Sequence, residues 1–202
     1  MTTSAPADPT AVLYLATWLS PDLHAEFSAW CDDHHREQLA LPGFQRARRF
    51  EWRSSRRDDD PPQYLTMYDL DSLEALRSAE YLEHMNSSPG LPDFLRGHLR
   101  LQRRDCTVIA ALPTPWWPPT PNSLLDVFQL NDDALAVGLR EEMSRLHASV
   151  ESGISLRLID SDNDEPLVLI DHGDDDSKLI DTITAASGSL RSSWRCCFDE
   201  QA

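Results

Sequence analysis

Lysine is almost absent from this chain: of its 18 basic side chains only Lys178 is a lysine. Schiff-base or general-base amine chemistry therefore has a single candidate. That candidate follows Asp174-Asp175-Asp176 and reads as a solvated helix start. Positive charge of any kind is scarce, with 34 acidic side chains against 18 basic and a net charge of −16. A surface that neutralises phosphates needs the opposite balance, so nucleic-acid binding and attachment to an anionic membrane are both disfavoured. No apolar run approaches the ~20 residues of a bilayer span. Residues 1–10 carry two prolines and no basic start, so they read as a frayed tail and not as a signal peptide. GxGxxG, Walker A and GxSxG sequences are missing, which leaves nucleotide binding and serine hydrolysis without support. The four cysteines (Cys31, Cys106, Cys196, Cys197) fit no zinc spacing and read as reduced thiols of a cytoplasmic protein. The acidic runs Asp58-Asp59-Asp60 and Asp174-Asp175-Asp176 lack EF-hand spacing, so no metal site is expected.

What is present is ordinary globular composition, 41% hydrophobic and 26% charged over 202 residues. The clearest boundary is the stretch 113–123, PTPWWPPTPNS, whose prolines fix φ and remove backbone donors; it reads as an extended linker. Before it, residues 12–19 (VLYLATWL) predict a strand apolar on both faces. Ser20-Pro21 predicts a helix start running to about residue 39, and Pro42-Gly43 ends that helix. Strands follow at 44–53 and 64–70, then a helix from Ser72 to about residue 85 capped by Asp71 or Ser72, a helical turn near 93–97 and a strand at 99–112. The order is β-α-β-β-α-β, the ferredoxin-like unit. Beyond the linker the order repeats, with strands at 124–130, 154–160, 166–172 and 190–198 and helices at 133–149 and 177–186. The expected fold is therefore α+β: two tandem ferredoxin-like units, 11–112 and 124–202. A lone four-stranded sheet would leave the apolar second face of its strands bare. Each exposed apolar side chain forfeits roughly 1.5–3 kcal/mol of burial, so the two sheets should pack into an α+β barrel.

The first half carries the run Trp30-Cys31-Asp32-Asp33-His34-His35, then Leu41-Pro42-Gly43-Phe44 and Arg48-Arg49-Phe50, continued by QYLTMYDLDSLEAL. Over residues 12–85 this resembles the EthD-like branch of the dimeric α+β barrel superfamily, in which a W-x4-H helix end precedes an LPGF turn and an arginine strand. The resemblance implies a small organic ligand in a pocket between sheet and helices. It also implies one of several chemistries: polyketide cyclisation, lactone isomerisation, cofactor-free oxygenation, dehydration or haem chemistry. The second half departs from the pattern. No tryptophan lies five before His147, the turn at Ser152-Gly153-Ile154 lacks proline and phenylalanine, and Ile159 stands where the first half has Arg49. Residues 1–112 hold 12 basic and 17 acidic side chains, while 113–202 hold 6 and 17. The second half reads as a degenerate copy that completes the barrel, and the site is expected in the first.

Three constellations could carry chemistry. The first is His34-His35. Leu23, Phe27, Trp30 and His34 form one apolar stripe that turns His34 toward the sheet, whereas the family spacing from Trp30 selects His35. Either would serve as an acid–base group near neutral pH, or as a packed histidine near the helix end. The second is the arginine strand. Period two places Phe44, Arg46, Arg48, Phe50 and Trp52 on one face and Gln45, Ala47, Arg49, Glu51 and Arg53 on the other. Arg49, at the family position, would grip a substrate oxyanion, unless it is simply paired with Glu51 or Asp69. The third is an aromatic set: Tyr14, Trp18, Trp52, Tyr64 and Tyr68, with Trp30 of the family run beside it. These either line a ring-shaped pocket or pack the core.

The chain is thus expected to be a cytoplasmic, cofactor-independent enzyme on a small aromatic or polyketide-like substrate, working by proton transfer in a cyclisation, dehydration or isomerisation. Catalytic residues would be His35, His34 and Arg49. A cofactor-free oxygenase and a non-catalytic binding protein are the alternatives. Haem held by His147 or His172, as in haem-binding relatives, is a further and weaker option, and His24, His84 and His98 read as surface residues. No partner beyond the small molecule is expected, apart from the pseudo-dimer within the chain and a further homodimer of it.

Overall fold

The computed structural model describes residues 8–55, 60–87, 91–112, 123–130, 155–161, 164–172 and 190–201. Nearly all of the expected linker, the first seven residues, and the expected helices at 133–149 and 177–186 lie outside them.

The described residues form eight strands: β1 (Ala11–Leu19), β2 (Phe44–Ser55), β3 (Tyr64–Leu70), β4 (Leu99–Leu112), β5 (Leu124–Gln129), β6 (Ser155–Ser161), β7 (Asp164–His172) and β8 (Leu190–Gln201). They close into one barrel in the order β1-β3-β2-β8-β5-β7-β6-β4, with β4 returning to β1 and every pair antiparallel. The first half-sheet reads β4-β1-β3-β2 and the second β8-β5-β7-β6, the same order of equivalent strands. They join through β2–β8 and β4–β6. Closure leaves no free sheet edge, and strands apolar on both sides become possible because both faces are covered.

Inside the barrel, Val12, Tyr14, Phe50, Leu65, Met67, Leu125, Leu169 and Trp194 form one buried cluster. A layer of charge crosses this interior. Arg48 donates to Asp171 at 3.1 Å and to Asp69 at 3.4 Å, and Arg157 donates to Asp69 at 2.6 Å. Two arginines and two aspartates, all within 1% of full burial, neutralise one another. Opposite charges at that depth stay ionised only as a hydrogen-bonded set.

The outer face of the first half-sheet carries α1 (His24–Leu39) and α2 (Ala79–Ser87). Pro21 opens a 3-10 turn, Pro21–Leu23, that leads into α1. The second helix begins later than the spacing predicts. Leu73–Arg77 is a 3-10 turn, Ser78 is extended at ψ 152°, and α2 starts beyond it. The working cap is Ser78, whose Oγ accepts the Tyr81 amide at 3.1 Å, and not Asp71 or Ser72. Gly43 sits at φ +85°, and a Cβ there would lie 2.7 Å from that of Ala75. Glycine is thus required both for the turn into β2 and for the approach of the 3-10 turn.

Candidate active site

A cavity of about 360 Å³ lies between the outer face of the first half-sheet and the two helices. That is at the lower end of the ~300–1,000 Å³ range of small-molecule sites. Its floor is Leu13, Leu15 and Thr17 of β1, Thr66 and Tyr68 of β3, and Leu99, Leu101 and Arg103 of β4. One wall is Phe27, Trp30, Cys31, His34, His35 and Gln38 of α1, and the other is Tyr81 and Met85 of α2 with Leu91. Met85, Leu91 and Leu101 are also exposed, so the rim is apolar.

Both histidines of the helix-end pair reach this cavity, in different states. The buried stripe of α1 is Phe27, Cys31, His35, Gln38 and Leu39, and His34 lies on its flank. The apolar-stripe expectation for His34 is therefore corrected. The buried face is centred on a polar residue because that residue is satisfied. His35 Nδ1 lies 2.7 Å from the Tyr68 hydroxyl and Nε2 lies 3.3 Å from Cys31 Sγ. His34 is partly exposed and stacks on Trp30 at 5.0 Å with 11° between the rings.

Burial, aided by Arg49, His34 and Arg36, pushes His35 well below its ordinary range, so it is neutral at physiological pH. Burial pushes the Cys31 thiol up to about 11 against the opposing pull of Arg49, and holds the Tyr68 phenol well above its ordinary value. These contacts fit the Nδ1–H tautomer of the neutral ring, in which the Cys31 S–H donates to Nε2, Nδ1–H donates to the Tyr68 oxygen, and the Tyr68 O–H is left to donate into the cavity; the opposite tautomer would reverse this relay. Both ring nitrogens of His35 are thus engaged, one by the Tyr68 hydroxyl and the other by the Cys31 thiol.

Arg49 does not line the cavity. Its Nη1 donates to Asp32 Oδ1 at 2.6 Å and to the Ser28 carbonyl at 3.3 Å, tying β2 to α1. Its carboxylate partner is thus Asp32, and neither Glu51 nor Asp69. Arg49→Lys is expected to lower stability by about 1.5–3 kcal/mol, the worth of a charge-assisted bond. Turnover per folded molecule should be unchanged, which parallel melting and activity measurements will read.

The aromatic set divides. Tyr68 and Trp30 line the cavity. Tyr64 packs on Phe27 at 4.9 Å and bonds to His24 Nδ1 at 3.1 Å, outside it. Tyr14 faces the barrel interior, where burial raises its hydroxyl to about 12. Trp18 packs against that interior cluster and donates to the Asp60 carbonyl at 2.8 Å, under Arg100. Trp52 pairs across the strands with Trp194 and is 37% exposed. Period two failed for Phe44 because a register shift separates it from Arg46. Phe44 joins the helix-side cluster with Ala47, while Arg48 and Phe50 point inward. Gln38, Thr66, Tyr81 and Arg103 also line the cavity, and period two does place Thr66 on the face of Tyr68. His172 bonds to Asp126 at 3.0 Å, both buried, and His147 lies outside the described residues.

No family model and no curated protein matches this chain. Solved structures do. An anthrone oxidase-like protein superposes with a TM-score of 0.60 at 14% identity, covering 99% of this chain and 96% of that one. A protein assigned as a monooxygenase from Fusobacterium nucleatum gives 0.58 at 11% identity, covering 96% and 95%. One from Lactobacillus acidophilus gives 0.57 at 10%, covering 96% of each. At these identities the similarity shows a shared fold. Their names also correct the functional expectation. The three bear oxidase- and monooxygenase-like names and none of them is named as a cyclase, dehydratase or isomerase, which speaks against the expected proton-transfer reaction.

Proposed function

We propose that this chain is a cytoplasmic oxygenase acting on a small fused-ring aromatic ketone or phenol of the anthrone type. The observation that carries the reading is the Tyr68 hydroxyl, backed by His35 at 2.7 Å, in the floor of a mainly apolar cavity. Neighbours named as an anthrone oxidase-like protein and as monooxygenases support it.

An anthrone carries a methylene between two aryl rings, para to its carbonyl. Loss of one methylene proton to a solvent base at the exposed rim gives an electron-rich enolate, and Tyr68 O–H would hold the oxygen on which charge develops. The enolate then reacts with dioxygen at the former methylene carbon. One oxygen atom stays as the new carbonyl, and the other leaves as water with the two methylene hydrogens. The electrons come from the substrate, so no flavin or haem enters the proposal. Trp30, Phe27 and Leu15 would sandwich the rings, and the apolar rim at Met85, Leu91 and Leu101 would admit them.

The two half-sheets are read as a tandem duplication. The first, with its EthD-like W-x4-H and LPGF run, keeps the site, and the second serves to close the barrel. The test is product formation from an anthrone in air and under argon. Quinone formed only in air and only with enzyme supports the reading; equal conversion without enzyme overturns it.

A further inference from the structure

His34, Glu37 and His84 take no part in the relay just described. We propose that these three side chains form a site for one divalent transition-metal ion at the edge of the cavity, bridging α1 and α2. The inference stands independently of the oxygenase reading.

The helix spacing supplies the first two ligands, since His34 and Glu37 sit at i and i+3 and project from neighbouring turns of α1. α2 supplies the third. One donor atom from each residue lies within 4.8 Å of the other two, and among the described residues no other group of histidine, cysteine and carboxylate does this. The contacts within the group are not ordinary hydrogen bonds. His34 Nδ1 and Glu37 Oε2 are 3.9 Å apart, too far to share a proton. His84 Nε2 is shut from solvent with no hydrogen-bond partner. A buried ring nitrogen left unpaired is uncommon and calls for an explanation, for which an ion is one of few. The His34 ring is held by its stack on Trp30, and the His84 ring lies 6.2 Å from it, tilted by 27°.

The donor set selects the ion. Two imidazoles and one carboxylate suit zinc, cobalt or ferrous iron, whereas calcium and magnesium prefer oxygen alone. Ligands ~2.1 Å from one ion lie roughly 3–3.5 Å apart, so the group must close by somewhat more than 1 Å. The Glu37 side chain, 59% exposed, is free to make that movement. Three protein ligands leave further positions open. Because His34 and the Met85 neighbour of His84 line the cavity, the ion would clasp the two helices together over its edge.

The experiment uses the full chain stripped with a chelator and titrated with Co²⁺ and then Zn²⁺. It is followed by visible absorption, calorimetry and thermal melting. Expected are one ion per chain, cobalt bands displaced by zinc, and a rise in melting temperature on loading. Glu37→Gln and His84→Ala should each weaken binding by at least tenfold and abolish the rise, while circular dichroism stays unchanged. His98→Ala, at an exposed histidine outside the group, should leave binding as in the wild type. Absence of one-to-one binding would overturn the proposal. So would binding that both Glu37→Gln and His84→Ala retain, which would mark scattered surface histidines.

Discussion

Tyr68→Phe is expected to lower the turnover of oxygenation by about 10²–10³, the usual loss when one preorganised oxyanion donor is removed. The effect should fall on kcat with KM nearly unchanged, because the hydroxyl matters most when charge sits on the substrate oxygen. The same change leaves His35 Nδ1 without its partner at 2.7 Å, so a stability loss of about 1–3 kcal/mol should accompany it. The two effects separate when turnover is expressed per folded molecule. His35→Gln should reproduce part of the kcat loss by releasing the phenol from its backing. A Tyr68→Phe enzyme with wild-type kcat would remove the hydroxyl from the chemistry.

Asp69→Ala is expected to destabilise the protein by about 3–5 kcal/mol, since it takes a buried carboxylate away from two fully buried guanidinium groups, Arg48 and Arg157. For a chain of this length each kcal/mol moves the melting temperature by roughly 2–4 °C, so a fall of about 6–20 °C should be seen. Burial alone would raise the Asp69 carboxyl, but Arg157 and Arg48 outweigh it and hold the group below its ordinary value. Its contribution to stability is therefore complete above the unfolded-state carboxylate value, about 4, and is lost as pH falls through the lower folded value. Urea melts between pH 6 and pH 2 should show wild-type stability falling on the acid side, and Asp69→Asn should lack that component. A melting temperature within about 2 °C of wild type for Asp69→Ala would mean that the interior charge layer is not a coupled set.

All eight strands were legible because each is a short run rich in β-formers between clear breakers. β3 and β4 lie where the sequence places them, and β2 runs two residues and β8 three residues further. The barrel itself followed from strands that are apolar on both faces. The site was less legible. Helical phase counted only apolar residues, so it centred the buried face of α1 on Trp30 and His34. The observed face includes Cys31, His35 and Gln38, and Cys31 and His35 are tolerated there because partners from the sheet and the same helix meet their polar atoms. The family spacing that pointed to His35 located a residue at the cavity. The same carry-over for Arg49 located one that ties β2 to α1. Nothing local announces that Arg48 meets Asp171, 123 residues further along the chain, or that a register shift at β2 turns Phe44 outward. Such partners are set by which strands become neighbours in the closed barrel. The aromatic set was read as lining a pocket or packing the core, and alternation alone did not reveal that β1 turns Tyr14 and Trp18 to the barrel side and not to the helices.

The most direct measurement is incorporation of ¹⁸O from labelled dioxygen into the quinone formed from an anthrone by the purified chain, with oxygen uptake followed in the same vessel. One labelled atom per product, one dioxygen consumed per substrate, and loss of enzyme-dependent product in Tyr68→Phe are the expected results. Product carrying oxygen only from water, or formed without oxygen uptake, would contradict oxygenation at this cavity.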